Sequence, residues 1–264
     1  MSLHLVDVVR WLWLPVASFF AGILNTIAGG GSFLSLPALL SASSAAGVGG
    51  VTAQATNTVA LWPGQFTSLI AFRKKLRTYG WSMAPIAVAS GVGGWIGGRL
   101  LLITSNQGYK TLLPWLLLFA AVMFIVSMPL GKWLAARSGG KRHDAALVAG
   151  MALVSVYVGY FGAGGGFLVM ALIGICGVHD IHEMNALKVL TAVVSIGIPA
   201  LTFIFAGRVE WRFCLEMAVL AAVGGYLAAC FSPRVNQRVM RWTVASIGLL
   251  TAGYFFLQNA MRHG

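Results

Sequence analysis

Residues 145–176 read AALVAGMALVSVYVGYFGAGGGFLVMALIGIC and include no charged side chain. This stretch is much longer than the ~18 apolar residues that indicate a membrane-spanning helix. Consecutive glycines, Gly164–Gly166, lie within it, and each glycine costs roughly 1 kcal/mol relative to alanine inside a helix. The stretch therefore predicts two apolar helices that are separated by a glycine break inside a membrane.

The composition of the whole chain leads to the same class of protein. Of 264 residues, 58% are hydrophobic and 9% are charged, and the mean hydropathy is +0.84. A soluble protein carries about 25% charged residues. These values exclude a soluble enzyme, a disordered chain and a disulfide scaffold, and the apolar stretches do not alternate as barrel strands do. We expect an all-α, polytopic helical membrane protein with about eight spans.

Ten apolar helical segments follow one another along the chain. They lie at 11–28, 33–44, 52–72, 81–103, 111–130, 144–161, 167–178, 184–206, 212–231 and 239–258. The basic stretch 131–143 is the only long polar connector, and it divides the chain into 1–130 and 144–264. Lysine and arginine mark cytoplasmic loops, so we expect this connector in the cytoplasm. The same rule accounts for the net charge of +12 better than nucleic-acid binding does.

The two parts of the chain resemble each other, which predicts two homologous transmembrane repeats. The matches are Ala28–Gly31 with Ala163–Gly166, Thr58 with Thr191, and Val92–Trp95 with Val223–Tyr226, at offsets of 135, 133 and 131. Offsets that drift so little, in the same order, favour an internal repeat. Repeats with interrupted helices at equivalent places are typical of secondary transporters, whose site lies at the repeat interface.

The first helix of each repeat is predicted to be broken or re-entrant at a glycine run. We call residues 29–31 the first glycine run and residues 162–166 the second glycine run. A helix that begins after such a run has unpaired N–H groups and a positive dipole end within the membrane, which suits an anion. The alternative is that the glycines only let helices approach closely.

Polar residues follow both glycine runs on helical stripes. Gln54, Asn57 and Thr58 share one face in the first repeat, and Lys188, Thr191 and Ser195 share one in the second. Such stripes suit a hydrated path, or else hydrogen bonds between helices. Lys188 is a functional candidate because it is ionisable within a span, although it could also extend to the nearby surface. The predicted substrate-binding residues are Gly29, Gly30, Gly31, Ser32, Asn57, Thr58, Gly164, Gly165, Gly166, Lys188, Thr191 and Ser195.

The direction of the chain after each glycine run stays open at this stage. Segment 33–44 would be about 18 Å long as a helix, too short to cross a ~30 Å core. Either 11–44 crosses the membrane once as a broken helix, giving parallel repeats, or it dips in and returns, giving inverted repeats. Both arrangements place the basic cluster Arg73–Arg77 in the cytoplasm.

Signatures of enzymes are missing from the sequence. It contains no HExxH, no GxSxG, no Walker lysine and no GxGxxG that opens a strand–helix unit. We therefore expect no enzyme, no cofactor and no metal site. The pairs Gly93/Gly97 and Gly94/Gly98 have the spacing of helix-packing faces.

Several motifs together resemble the sulfite exporter TauE/SafE family, also called the toluene sulfonate uptake permease family. The residues concerned are Phe20–Leu40, Ala53–Thr58 and Phe72–Lys75 in the first repeat, and Gly159–Phe167, Asn185–Lys188 and Phe205–Trp211 in the second. The resemblance covers nearly the whole chain. It implies a multi-pass bacterial inner-membrane transporter, often an exporter, of sulfite or organosulfonates, without a cofactor.

The expected partners are a small anion of the sulfite or sulfonate class, the lipid bilayer and, optionally, a second copy of the chain in a homodimer, with no nucleic acid. Two rival functions remain at this stage. One is an anion channel, whose flux would not saturate, and the other is a non-transporting membrane subunit of a larger complex.

Overall fold

The computed structural model describes residues 2–28, 30–65, 69, 80–137, 143–178, 181–231 and 237–263. Within these ranges the regular secondary structure is entirely helical, which confirms the all-α prediction. Besides a 3₁₀ turn at Gly80–Met83, the α-helices are α1 (Ser2–Ala28), α2 (Ser32–Ala45), α3 (Gly50–Leu61), α4 (Ala84–Ile103), α5 (Asn106–Arg137), α6 (Asp144–Tyr160), α7 (Gly165–Ile175), α8 (Ile181–Phe205), α9 (Trp211–Phe231) and α10 (Gln237–His263).

Membrane-spanning dimensions are met by three of the described helical stretches. Ala84–Ile103, Glu183–Phe205 and Trp211–Ala228 are long and apolar enough to cross a bilayer. Shorter apolar helical stretches, among them Asp144–Tyr160 and Gly165–Ile175, accompany them. The protein is therefore a polytopic helical membrane protein, as its composition predicts.

The helices agree with the predicted segments to within about five residues at most of their ends. One exception is α1, which begins at Ser2, well before the predicted start at 11. Two other ends also differ. The segment predicted at 52–72 is interrupted, because α3 ends at Leu61 and helical backbone resumes only at 63–65. Pro63 explains the interruption, since proline has no N–H to donate to the preceding turn. The second difference is that α5 continues to Arg137, past the predicted start of the connector at 131, whereas 138–142 lie outside the described residues.

The chain reverses direction at the second glycine run. A Cβ built on Gly165 would lie 2.6 Å from a methyl of Val158, and one built on Gly150 would lie 2.6 Å from Leu172. At the other end, the N–H of His143 donates to the carbonyl of Cys176 over 3.1 Å. α7 thus runs back along α6 and ends where α6 began.

The first glycine run also turns the chain back. Gly31 lies against the backbone of Ala21 and the side chain of Asn25, so the start of α2 returns along α1. α2 and α7 then end in the same way, with a left-handed glycine, Gly47 (φ 72°) and Gly177 (φ 81°), that closes a Schellman motif. Of the two arrangements left open by the sequence, the one that dips in and returns fits these contacts.

The two parts of the chain interlock through their long helices. α4 packs on α6, where Gly93 meets the backbone of Ala152, and α9 packs on α1, where Gly224 meets the backbone of Phe19. Gly224 follows Gly93 by 131 residues and Ala152 follows Phe19 by 133, which are offsets found in the sequence. We therefore propose that 1–130 and 144–264 are two repeats joined by 131–143.

α3 lies at the centre of the molecule. Apart from Thr52, its residues are buried, including Gln54, Asn57 and Thr58. Aromatic side chains from the neighbouring helices, such as Phe33, Tyr109 and Phe161, are fully buried in the same core. The polar stripe predicted in the first repeat therefore faces protein and not lipid.

Candidate functional site

The second glycine run forms an irregular turn between α6 and α7. Gly162 (φ 78°) and Gly164 (φ 72°) have left-handed backbone that a side chain would strain. The N–H groups of Gly165 and Phe167 donate to the carbonyls of Gly162 and Gly164, which starts α7. The turn thus ends in a helix N-terminus whose dipole end is positive.

Lys188 approaches this N-terminus from α8. A Cβ built on Gly166, in the first turn of α7, would lie 3.3 Å from Cε of Lys188. The lysine side chain is half-buried, and no carboxylate among the described residues balances its charge. A cation and a helix N-terminus repel each other, so their meeting place favours a bound anion between them.

Side chains from other helices satisfy the carbonyls that the turn exposes. Gln54 in α3 donates its Nε2 to the carbonyl of Phe161 over 2.8 Å, and the hydroxyl of Tyr157 donates to the carbonyl of Ala163 over 2.8 Å. The hydroxyl of Tyr109 donates to Oε1 of Gln54 over 3.0 Å, which fixes the amide. Backbone carbonyls in a membrane need such partners. The turn is therefore held in place by donors on α3, α5 and α6.

The first glycine run has a different environment. Gly29 lies outside the described residues, while Gly30 and Gly31 accept the N–H groups that begin α2. Gly31 is pressed against α1 so closely that any side chain would collide with the carbonyl of Ala21. Ala55, a buried alanine, occupies the position 133 residues before Lys188. Close packing therefore describes this run better than ion binding does.

Ser32, Asn57 and Thr58 lie near the start of α2 and along α3. Ser32 begins α2 and is half-buried. Asn57 accepts a hydrogen bond from the hydroxyl of Ser35 over 2.6 Å, and Thr58 donates to the carbonyl of Gln54 over 3.0 Å. These polar groups therefore bond mainly to other protein groups and join α2 to α3.

Thr191 and Ser195 contact other helices and their own backbone. The hydroxyl of Thr191 points to the sulfur of Met151 in α6 at 3.8 Å, and that of Ser195 donates to the carbonyl of Thr191 over 2.6 Å. The backbone of Ser195 lies against Gly94 in α4. Both residues thus face α4 and α6, where they serve helix packing.

Of the predicted residues, the structure brings together Gly164, Gly165, Gly166 and Lys188. It adds Gln54, Tyr109 and Tyr157, which the sequence did not single out as site residues. The signal for Gln54 was present, since an amide in an apolar helix needs partners. Nothing in the sequence indicates that this partner is a carbonyl of the other repeat.

Comparison with known proteins identifies the family. The model of the family Sulfite exporter TauE/SafE matches residues 14–255. The chain belongs to this family. The result confirms the resemblance seen in the sequence motifs.

Curated relatives of this TauE/SafE protein come from several bacteria. "Probable membrane transporter protein YfcA" of Escherichia coli K12 is 30% identical over 245 residues, covering 91% of this chain and 87% of the relative. "Probable membrane transporter protein ORF9" of a Sinorhizobium species is 23% identical over 241 residues, covering 91% and 90%. A "Probable membrane transporter protein" of Xylella fastidiosa Temecula1 is 29% identical over 225 residues, covering 81% of each chain. No solved structure matches.

The family assigns a general activity to the molecule. TauE/SafE proteins are membrane transporters, so this chain is a membrane transporter. The names of the relatives state that they are membrane transporters and do not name a substrate. The identity of the transported species therefore has to be argued from the site.

Proposed function

We propose that this TauE/SafE protein is a secondary transporter that exports small anions of the sulfite or organosulfonate class across the bacterial inner membrane. The observation that supports the proposal is the approach of Lys188 to Gly166 in the first turn of α7. The ligands we propose are the N–H groups of Gly164 and Gly166 and the ammonium of Lys188. Gly165, whose own N–H donates to the carbonyl of Gly162, shapes the turn. Gln54 holds the turn in place from the other repeat.

Electrostatics favours an anion at this place. An ammonium in a low-dielectric interior is costly unless an opposite charge balances it, and in the part of the chain that the structure describes no carboxylate balances Lys188. Helix N–H groups and an ammonium both form strong, charge-assisted hydrogen bonds with oxyanions. Sulfite and sulfonate groups present three oxygens on one sulfur, so one group can bind several N–H donors and the ammonium together. Their negative charge offsets both the lysine and the helix dipole.

The remaining predicted residues receive supporting roles in this proposal. Asn57 and Thr58 keep α3 joined to α2 and orient Gln54. Gly30, Gly31 and Ser32 let α2 return along α1, which brings α3 to the centre of the molecule. Thr191 and Ser195 keep α8 against α4 and α6, so that Lys188 stays level with α7.

Substitution of Lys188 tests the proposed site. We expect Lys188→Gln to weaken sulfite binding by at least tenfold, which corresponds to about 1.4 kcal/mol. Lys188→Arg should retain much of the affinity, because it keeps the positive charge. Isothermal titration calorimetry on the purified protein measures both. Arg99→Gln is the matched control, since it removes an exposed cation that stacks on Trp95 of α4.

The outcomes separate the proposal from its rivals. Parent-like affinity in Lys188→Gln would remove Lys188 from the site. Sulfite efflux from proteoliposomes that saturates with concentration supports a carrier, whereas linear flux would indicate an anion channel. No anion flux from the purified protein alone would favour a subunit of a larger complex. A parallel uptake series with sulfonates, sulfate and carboxylates identifies the preferred substrate class.

A further inference from the structure

Trp62 lies at the end of the central helix, α3. It follows α3 directly and precedes Pro63, where the helix is interrupted. The residues before it, from Ala53 to Leu61, are buried, whereas Pro63 is exposed and Gly64 and Gln65 are half-buried. Trp62 therefore marks the boundary between the closed interior and a more accessible region.

The indole of Trp62 lies directly on Gly197 of α8. A Cβ built on Gly197 would be 2.7 Å from Nε1 and 2.9 Å from Cε2 of the ring. Both distances are shorter than van der Waals contact, so even a methyl group at 197 would displace the ring. The contact at the end of α3 with α8 thus depends on the large indole of Trp62 and on the lack of a side chain at Gly197.

Three contacts connect this place to the proposed anion site. The second glycine run touches α3 through Gln54 and α8 through Lys188. α3 and α8 touch each other at Trp62 and Gly197. Along the helices Trp62 lies about 12 Å from Gln54, and Gly197 lies about 14 Å from Lys188, at ~1.5 Å per residue. α3 and α8 thus contact each other beside Trp62, and both contact the second glycine run at another level along their length.

The contact between Trp62 and Gly197 also lies near the axis that we expect to relate the two repeats. Gly197 follows Gly64 by 133 residues, the offset that relates Thr58 to Thr191. α3 and α8 are therefore equivalent helices, and a contact between equivalent helices lies near the axis that relates the repeats. Transporters built from repeats pass their substrates near this axis.

We propose that Trp62 is the gate of the anion path. Seated on Gly197, it closes the crossing of α3 and α8, and the anion passes when the ring leaves this glycine. The size of the opening that results then sets the largest anion that is transported. This inference rests on the proposed transport of anions, and it adds the residue that selects them by size.

Two variants test the gate, one at each of the two contacting residues. Trp62→Ala removes the ring, and Gly197→Ala displaces it. Both should raise the transport of a bulky aromatic sulfonate relative to sulfite by at least fivefold in proteoliposomes. Affinity for sulfite, measured by calorimetry, should stay within about threefold of the parent, because neither residue contacts the proposed ligands.

Matched controls separate the gate from general loosening. Trp115→Ala removes an exposed tryptophan, and Gly174→Ala adds a methyl where the nearest atom, Cε of Met184, is 3.9 Å away. Both controls should keep the parent ratio of the two anions. Elution as a single species in detergent confirms that each variant is folded.

The outcomes for the gate differ from those for the proposed function. A parent-like ratio of sulfonate to sulfite transport in folded Trp62→Ala overturns the gate, even if sulfite still binds and is exported. A parent protein that neither binds nor transports any anion overturns the proposed function and the gate together. Should Gly197→Ala not fold, the Trp62→Ala ratio alone decides the question.

Discussion

Two side chains act on the second glycine run in opposite ways. Gln54 donates to a carbonyl of the turn, whereas Lys188 lies beside the first N–H groups of the helix that follows. The carbonyls of Phe161 and Ala163 are satisfied by side chains of the protein. Of the N–H groups, those of Gly165 and Phe167 donate within the turn, and those of Gly164 and Gly166 are the ones that we propose bind the anion. If the proposed site is correct, this arrangement lets an uncharged loop select a negatively charged ligand.

We expect the hydrogen bonds of Gln54 to stabilise the folded protein. Gln54→Leu removes the donor to the carbonyl of Phe161 and leaves the hydroxyl of Tyr109 without its acceptor. Buried unsatisfied groups cost about 1–3 kcal/mol each, so we expect a clearly lower thermal stability in detergent. Gln107→Leu, at an exposed position of α5, should change stability little. Equal melting temperatures for the two variants would contradict this role.

At the scale of residues, the sequence indicated Lys188 and Gly164–Gly166 as candidates for one binding site, and the structure places Cε of Lys188 beside Gly166. A glycine run inside an apolar stretch indicates that a helix ends there. A lysine inside a membrane span is rare and indicates a functional candidate. Periodicity alone could not show that Thr191 and Ser195 face α4 and α6, because a polar stripe looks the same against a cavity or against another helix. The bond from Gln54 to Phe161 depends on how distant segments pack.

At the scale of elements, the glycines of α4 form two faces on which neighbouring helices pack. Gly93 and Gly97 meet the backbone of α6, and Gly94 and Gly98 meet Ser195 and Pro199 of α8. The prediction that both glycine pairs are packing faces is therefore confirmed. One helix thus touches two neighbours at backbone distance, which fixes α6 and α8 relative to each other.

A side chain on this helix should disrupt the crossing. A Cβ on Gly97 would collide with the carbonyl of Val156 and lie 2.8 Å from the backbone nitrogen of Tyr160, and neither atom can yield without moving α6. We expect Gly97→Val to destabilise the protein by at least the 1–3 kcal/mol that is typical of overpacking. Gly253→Val is the control, because open space surrounds that glycine. Fluorescence-detected chromatography after heating compares the two, and similar melting would refute the close crossing.

The sequence predicted helices well and their directions poorly. Apolar composition identifies a helix at 165–175 but says nothing of the way it points, since both directions bury the same side chains. The reversal depends on tertiary contacts such as that of Gly150 with Leu172, which no local pattern records. The end of α3 at Leu61, in contrast, could have been predicted from Pro63.

At the scale of the whole molecule, the returning hairpins determine which side each loop faces. α7 ends beside His143, at the end of the connector that we expect in the cytoplasm. We therefore expect α8 to start from the cytoplasmic side and to place residues 206–210 outside. A broken helix that crosses once would instead put these residues in the cytoplasm.

Labelling of single cysteines distinguishes these arrangements. In a protein without its native cysteines, Ala206→Cys should react with an impermeant maleimide added to intact cells. Lys75→Cys should react only after the cytoplasmic side is opened, because the basic cluster 73–77 stays inside. Protection of Ala206→Cys in intact cells, with normal labelling in inverted vesicles, would contradict the returning hairpin.

The interlocking of α1 with α9 and of α4 with α6 has a consequence for biosynthesis. α1 is complete at Ala28, whereas α9, one of the helices it packs on, begins to be made only at Trp211. During translation the nascent chain must therefore keep glycine-lined helix faces covered by lipid until the second half is inserted. Contacts so distant along the chain make folding slow, and the final closure can occur only near the end of synthesis.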